Sequence, residues 1–261
     1  MKKVVVFFVI CNCISIVGLF AQGDSLRKDF HKANQCYKEK DYTQAIEIYN
    51  QLIDNGLQNH TLYYNLANAY FKNQQLGFAI LNYERALRLS PDNEDIEHNL
   101  RFANAQRKDK MDELPTLFIK QWFLKVGNLL NLYQWSFALI ISVFLICLSI
   151  AGWLLLHSQK GRIGAFWLSI VFLCSAVICL IFTILQHNHI NDTTEAIVIA
   201  GNAVVKSTPD VAGTDLFIVH EGIKVRTLEI TGDWTEVRFP NGEKGWLPNA
   251  SIENVFVKKD K

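Results

Sequence analysis

The imidazoles, carboxylates and thiols of this 261-residue chain are the groups that could carry acid–base, metal or redox chemistry. His187 and His189 lie two residues apart at the end of an apolar stretch, and His220 is followed directly by Glu221. Neither pair belongs to a cluster with metal-ligand spacing, and the chain has no phosphate-binding Gly-rich loop and no nucleophile elbow. We therefore expect no catalytic residues, no metal and no cofactor, and predict that the protein is not an enzyme.

Thiol redox chemistry is disfavoured by where the six cysteines lie. Five of them fall in long apolar stretches: Cys11, Cys13, Cys147, Cys174 and Cys179. Cys36 alone lies in a segment predicted to be soluble, so it has no partner there for an intrachain disulfide. Its simplest interpretation is a small core residue on a helix.

The charges of the chain nearly cancel, with 26 Lys and Arg against 25 Asp and Glu. A protein that binds nucleic acid through phosphates needs a basic field, which this composition does not provide. Half of the residues are hydrophobic and only 20% are charged. This is more apolar than a soluble domain needs, so part of the chain is expected to face lipid or to be removed.

The N-terminus has the pattern of a secretory signal peptide. Two lysines precede an uncharged stretch over residues 4–20, and Ala21 and Gln22 follow it. We predict a signal peptide over residues 1–21 with cleavage after Ala21. The alternative is an uncleaved anchor, because Leu19 occupies a position where a small residue is usual and Asn12 interrupts the apolar core.

Two further stretches, residues 135–156 and 163–186, contain no charge. At 1.5 Å per residue, each helix would exceed the roughly 30 Å hydrocarbon core of a bilayer. Lys160 and Arg162 lie in the connecting loop, residues 157–162, and place that loop in the cytoplasm by the positive-inside rule. An inner-membrane protein with both soluble parts in the periplasm is predicted.

The first soluble part, residues 22–113, repeats with a period of 34 residues. Ala33 aligns with Ala67, and Tyr49 aligns with Tyr83. This period, with small residues at helix crossings, resembles tetratricopeptide repeats. We predict repeats over about 27–59 and 60–93, and a capping helix over 94–113.

In such repeats the first helices line a concave groove, and the resemblance assigns eight residues to a protein-binding groove. They are Phe30, Asn34, Tyr37, Lys38, Tyr64, Asn68, Phe71 and Lys72. The alternative is that the aromatic members belong to the core and that the asparagines are structural.

Residues 114–134 lie between the repeats and the first apolar stretch. Trp122, Val126 and Leu129 recur at helical spacing, which favours an amphipathic helix in the membrane interface. The alternative is a helix packed on the repeats.

The C-terminal part, residues 190–257, shows short alternating strands, and Asn241-Gly242 supplies a hairpin turn. Gly232-Asp233-Trp234 and Gly245-Trp246-Leu247 resemble bacterial SH3-like domains, which are small barrels. Trp246 and Phe239 are the candidate binding surface. The alternative is that the aromatic residues form the core and rim of the barrel.

The predicted fold class is a multi-domain membrane protein with an all-α tetratricopeptide array, a transmembrane helical hairpin and an all-β SH3-like small barrel. This order resembles BatE-type proteins of the aerotolerance operon of Bacteroidetes, as does the segment from Asp95 to Ala105. The resemblance implies a scaffold in the inner membrane whose protein partners are other Bat-type membrane proteins. The alternative is a cell-wall sensor or anchor that binds peptidoglycan through the SH3-like domain.

Overall fold

The computed structural model describes residues 26–111, 118–127, 129–190 and 192–256. The predicted signal peptide and its cleavage after Ala21 lie outside these residues. The chain divides into two compact units. Among the described residues, the first contains 26–89, 94–111 and 194–256, and the second contains Ser90–Asn93, 118–127, 129–190 and 192–193.

Five helices form the N-terminal part of the first unit. They are α1, described over residues 26–38, α2 (Tyr42–Asp54), α3 (His60–Lys72), α4 (Leu76–Leu89) and α5 (Glu94–Ala105). The side chains of Asp41 and Asn59 cap α2 and α3, each accepting a hydrogen bond from a backbone N–H of the first turn. Lys40 and Gln74, which precede the turns into α2 and α4, are the described non-glycine residues with positive φ. They lie one 34-residue period apart, so the backbone repeats with the sequence.

Small residues sit where the helices of each repeat cross. Ala33 and Ala45 are fully buried in the first repeat, and Ala67 and Ala79 are fully buried in the second. An alanine at these points allows close approach of two helices, and larger apolar side chains such as Leu66 fill the space around them. The helical region therefore has the repeated helix-pair packing of a tetratricopeptide-like array, as the period predicts.

A seven-stranded antiparallel sheet forms the C-terminal part of the first unit. Its strands are β1 (Glu195–Val198), β2 (Asn202–Lys206), β3 (Asp215–His220), β4 (Lys224–Thr231), β5 (Trp234–Arg238), β6 (Lys244–Pro248) and β7 (Ile252–Asn254), in the spatial order β3-β2-β6-β5-β4-β1-β7. Alternate residues such as Val205, Val219 and Val237 are fully buried in its core. The predicted turn at Asn241-Gly242 joins β5 to β6, with Gly242 at a φ of 90°.

The second unit contains α6 (Phe118–Gly127), α7 (Leu132–Leu155) and α8 (Gln159–Ile190). Helices α7 and α8 are joined by residues 156–158 and pack along each other, with Ser142 Oγ lying 3.2 Å from Ser175 Oγ. Both helices are long and apolar enough to cross a membrane. Each begins before its predicted span, because polar residues such as Lys160 form a first helical turn instead of a loop.

Helix α6 lies within the predicted helix over residues 114–134, and the described residues 129–131 are not helical. It ends at Gly127, whose carbonyl accepts hydrogen bonds from Trp135 Nε1 at 3.0 Å and Gln186 Nε2 at 2.9 Å. Asn131 then starts α7 with a capping box to Gln134. The chain turns here because side chains of α7 and α8 donate hydrogen bonds to the last carbonyl of α6.

Candidate functional site

A cavity of about 430 Å³ opens between the first helices of the two repeats, α1 and α3. The residues that line it are His31, Asn34, Gln35, Tyr37, Lys38, Tyr49, Asn65 and Asn68. Its wall therefore carries side-chain amides, phenols, one imidazole and one ammonium group. No carboxylate occurs among the described residues that line it.

Two asparagines of the wall are held by identical hydrogen bonds, one repeat apart. Asn34 Oδ1 accepts from the hydroxyl of Tyr49 at 2.6 Å and from Asn65 Nδ2 at 3.0 Å. Asn68 Oδ1 accepts from the hydroxyl of Tyr83 at 2.6 Å and from Asn99 Nδ2 at 3.2 Å. Each of these asparagines thus ties the second helix of its own repeat to the first helix of the next unit.

Burial keeps the phenols of this network protonated. Tyr49 and Tyr83 are 1% and 2% exposed. Burial raises the pKa of each well above its ordinary value, because the phenolate would lose its hydration. Both hydroxyls therefore remain hydrogen-bond donors to Asn34 and Asn68 at every physiological pH.

Four of the eight residues predicted for the groove line this cavity: Asn34, Tyr37, Lys38 and Asn68. Phe30 packs against Tyr49 and lines a second cavity of about 440 Å³ with Leu57 and His60.

The other three predicted groove residues lie outside both cavities. Tyr64 packs against Tyr83, and its hydroxyl accepts a hydrogen bond from Asn99. Phe71 packs against Phe102, which is 56% exposed, and Lys72 is exposed at the end of α3.

The sequence-based set omitted His31, Gln35 and Asn65, which also line the cavity. Asn65 could have been found by the 34-residue period, since Asn99 occupies the equivalent position and makes the equivalent bond. His31 and Gln35 carry no such signal, because neither aligns with a residue of the same type in the second repeat.

Of the two aromatic residues predicted for the surface of the C-terminal part, one is internal. Phe239 is 2% exposed and packs against Phe217 in the core of the sheet, with 5.1 Å between ring centroids. The reason is that Phe239 continues the alternation of β5, in which Thr235 and Val237 are buried, so its side chain falls on the same inner face. Trp246 is half-buried on β6.

The side chains that were considered for chemistry, His220, Glu221 and Cys36, lie within contacts between parts of the fold. Asp109 accepts a hydrogen bond from the backbone N–H of His220 at 2.7 Å, and its carboxylate lies 3.0 Å from His220 Nδ1. Glu221 accepts a hydrogen bond from the backbone N–H of Gly77. Cys36 is buried, with its Sγ 3.4 Å from Gln44 Oε1. Among the described residues, no three His, Cys, Asp or Glu side chains are grouped as metal ligands.

Comparison with known families identifies one part of the chain. The tetratricopeptide repeat model matches residues 61–93, which cover α3, α4 and the turn after α4. No curated protein matches the chain. The match falls on the second predicted repeat, whose neighbours α1, α2 and α5 continue the same helical packing. Tetratricopeptide arrays generally mediate protein–protein interaction, and this is the class of activity that the repeat region supports.

Proposed function

We propose that this protein is a membrane-anchored scaffold whose repeats hold an extended segment of a partner protein in the cavity between α1 and α3. The observation that carries the proposal is the cavity wall itself. Side-chain amides at Asn65 and Gln35 can bond a peptide backbone, and the ammonium group of Lys38 lies beside them. Because the described wall has no carboxylate, the segment that fits best is acidic or ends in a free carboxylate.

Site-specific photo-cross-linking in intact cells tests the cavity. A photoreactive amino acid at position 38 is expected to give an adduct with a partner protein. The matched control is position 32, which is an exposed lysine on the same helix and lies about 120° away around the axis. Adducts of equal yield at both positions, or none at position 38, would refute binding in this cavity.

The anchoring part of the proposal places α7 and α8 across the bacterial inner membrane. Large apolar side chains such as Phe137, Ile140 and Leu148 are more than half exposed on these helices. Such a surface is unfavourable in water and favourable in lipid. The connection between α7 and α8 faces the cytoplasm, together with Lys160 and Arg162 in the first turn of α8. The repeats and the C-terminal sheet face the periplasm.

Reporter fusions at Asp109, at Ser158 and at the C-terminus test this topology. The expected result is a periplasmic signal at the first and last positions and a cytoplasmic signal at Ser158. A periplasmic signal at Ser158 would refute the arrangement.

The finer parts of the proposal concern the sheet and the biological role. The sheet is an SH3-like barrel, supported by its seven short antiparallel strands and the hairpin at Asn241-Gly242. The resemblance to BatE-type proteins makes other Bat-type membrane proteins the expected partners, in aerotolerance or stress resistance. Affinity purification of the full chain from membranes tests this, and recovery of the protein alone would refute it. Retention of the full chain on purified sacculi would instead favour peptidoglycan binding.

A further inference from the structure

One face of α4 is in contact with the C-terminal sheet along the whole helix. Gly77, Ile80, Glu84 and Arg88 follow the three- and four-residue spacing of one helical stripe, and Arg85 lies beside Glu84 at its margin. Their partners in the sheet lie more than 100 positions away in the sequence. The contact therefore brings together two parts of the chain that α6, α7 and α8 separate.

The apolar part of this contact is close-packed. Ile197 of β1 and Val255 after β7 are buried in one cluster with Ile80 of α4 and Leu100 of α5. A Cβ at Gly222 would lie 2.7 Å from the Cδ1 atom of Ile80, so the helix and the turn before β4 touch without a gap. Contacts this tight are typical of a protein core rather than of two domains joined by a flexible linker.

The ionic part has most of its charged groups partly or fully buried. Arg85 donates to Glu253 at 2.7 Å and to the backbone carbonyl of Asn254 at 2.8 Å. Arg88 pairs with Glu195 at 2.5 Å, and both side chains are at most 14% exposed. Lys224 lies between Glu84 and Glu195, at 3.1 and 3.0 Å. Buried charges are retained when each has its partner, so this face of α4 is built for the sheet.

The segment after α5 adds a third connection. Arg107 lies beside Gly222, Asp109 binds His220, and Met111 packs against the core of the sheet. The chain thus leaves the repeats along the surface of the sheet.

We propose that the C-terminal sheet is the terminal cap of the repeat array, in the place that a second helix of the third unit would take. A helical repeat must cover its last apolar face, and about three units are usual for stability. Here the third unit has α5 alone in the described chain, and the sheet covers the face of α4 that a further helix would cover. Residues 111 and 194, which flank the hairpin, then belong to one folded body and lie on the same side of any membrane that α7 and α8 cross.

Hydrogen exchange of the full chain in detergent tests the cap. The substitution is made in the sheet, and amide exchange is measured in α4. Glu253→Arg places a second cation against Arg85. If the sheet caps the array, exchange in the α4 peptides rises by about tenfold, because α4 and β7 open together. The matched control is Glu229→Arg, which makes the same charge change at an exposed position of β4 and is expected to leave α4 exchange unchanged.

A charge swap completes the test. The double variant Arg85→Glu with Glu253→Arg restores the opposite pair but not the hydrogen bond to the carbonyl of Asn254. It is expected to return α4 exchange part of the way toward that of the natural chain. If Glu253→Arg leaves α4 exchange unchanged, or raises it no more than Glu229→Arg does, the proposal is overturned. If the Glu253→Arg variant does not accumulate but the double variant does, the proposal is supported. If neither variant accumulates, the assigned pairing of Arg85 with Glu253 is overturned. None of these outcomes depends on what binds the cavity between α1 and α3.

Discussion

Asn34 and Asn68 each connect three helices through one carbonyl oxygen. These hydrogen bonds hold the helices together and fix the orientation of each amide. A ligand can therefore bind the amide only in that orientation. The two interpretations of these residues are therefore compatible: the bonds to the tyrosines shape the wall of the cavity, and the same side chains line it.

Asn68→Ala tests the structural part of this role. The substitution leaves the buried hydroxyl of Tyr83 without its acceptor, which costs about 1–3 kcal/mol of unfolding free energy. Thermal or denaturant unfolding of the full chain in detergent measures it. Gln51→Ala, at an exposed position of α2, is the control and is expected to change little. Equal stability of the two variants would mean that the hydrogen bonds to Asn68 do not matter.

Alkaline pH is expected to unfold the repeats through their buried phenols. Burial raises the pKa of Tyr49, Tyr63, Tyr70 and Tyr83 above the ordinary value of 10.0. The folded state therefore keeps these protons to a higher pH than the unfolded state does. The contribution of the protonated phenols to the free energy of unfolding is complete below about pH 10 and is lost as the pH rises above it.

Tyrosinate absorbance and helical circular dichroism, followed together in a pH titration, measure this effect. These four phenols, of which Tyr70 is partly buried and the others are buried, are expected to ionise only as the helices unfold. Tyr83→Phe is expected to reduce the pH dependence. Ionisation of all tyrosines before any loss of helix would contradict the prediction.

At the level of helices and strands, Gly77 brings the backbone of α4 into close contact with the sheet. A Cβ at this position would lie 3.0 Å from the carbonyl oxygen of Val198 and 3.1 Å from the Cα atom of Ile199. Both neighbours are backbone atoms held by further hydrogen bonds, since Gly222 donates to Val198 and Ile199 donates to Ser251. They cannot move aside without disturbing the sheet.

Gly77→Ala is therefore expected to destabilise the protein by about 1 kcal/mol, although the same exchange usually stabilises a helix. Thermal unfolding monitored on the helical signal measures the difference. Gly201→Ala is the control, because a Cβ there would meet nothing within 4 Å. Stabilisation by Gly77→Ala would show that β1 yields at this point and that the contact is looser than its distances indicate.

In the helices between the repeats and the sheet, the sequence pattern predicts that a helix exists but not where it ends. The two uncharged stretches predict α7 and α8, since length and hydropathy are properties of a single segment. The end of α6 at Gly127 was not predicted. It depends on Trp135 and Gln186, which reach its carbonyl from two other helices.

For the molecule as a whole, the contact between α4 and the sheet predicts that the repeats depend on the C-terminus. A chain that ends at residue 193 exposes Ile80, which is 1% exposed in the full chain, and leaves Arg85 and Arg88 without Glu253 and Glu195. The repeats of this truncated chain are expected to be cleaved by protease well before those of the full chain. Limited proteolysis in detergent measures it, and equal resistance would mean that the array is stable without the sheet.

The amino-acid sequence is sufficient to predict the repeat array, the two apolar helices and most of the strands. Each of these follows from a period or a composition that is set within one element or between neighbours, such as Ala33 and Ala67 one repeat apart. The burial of Phe239 and the place of Asn65 in the cavity needed the fold, because both depend on which elements lie opposite.

The contact of α4 with β1 and β7 was decided by tertiary structure alone. Arg85 is 168 residues from Glu253, and Gly77 is 144 residues from Glu221. No local period relates residues so far apart, and both soluble parts read as independent modules along the sequence. They become one body because one face of α4 and a sheet with matching charges bury each other's apolar surface.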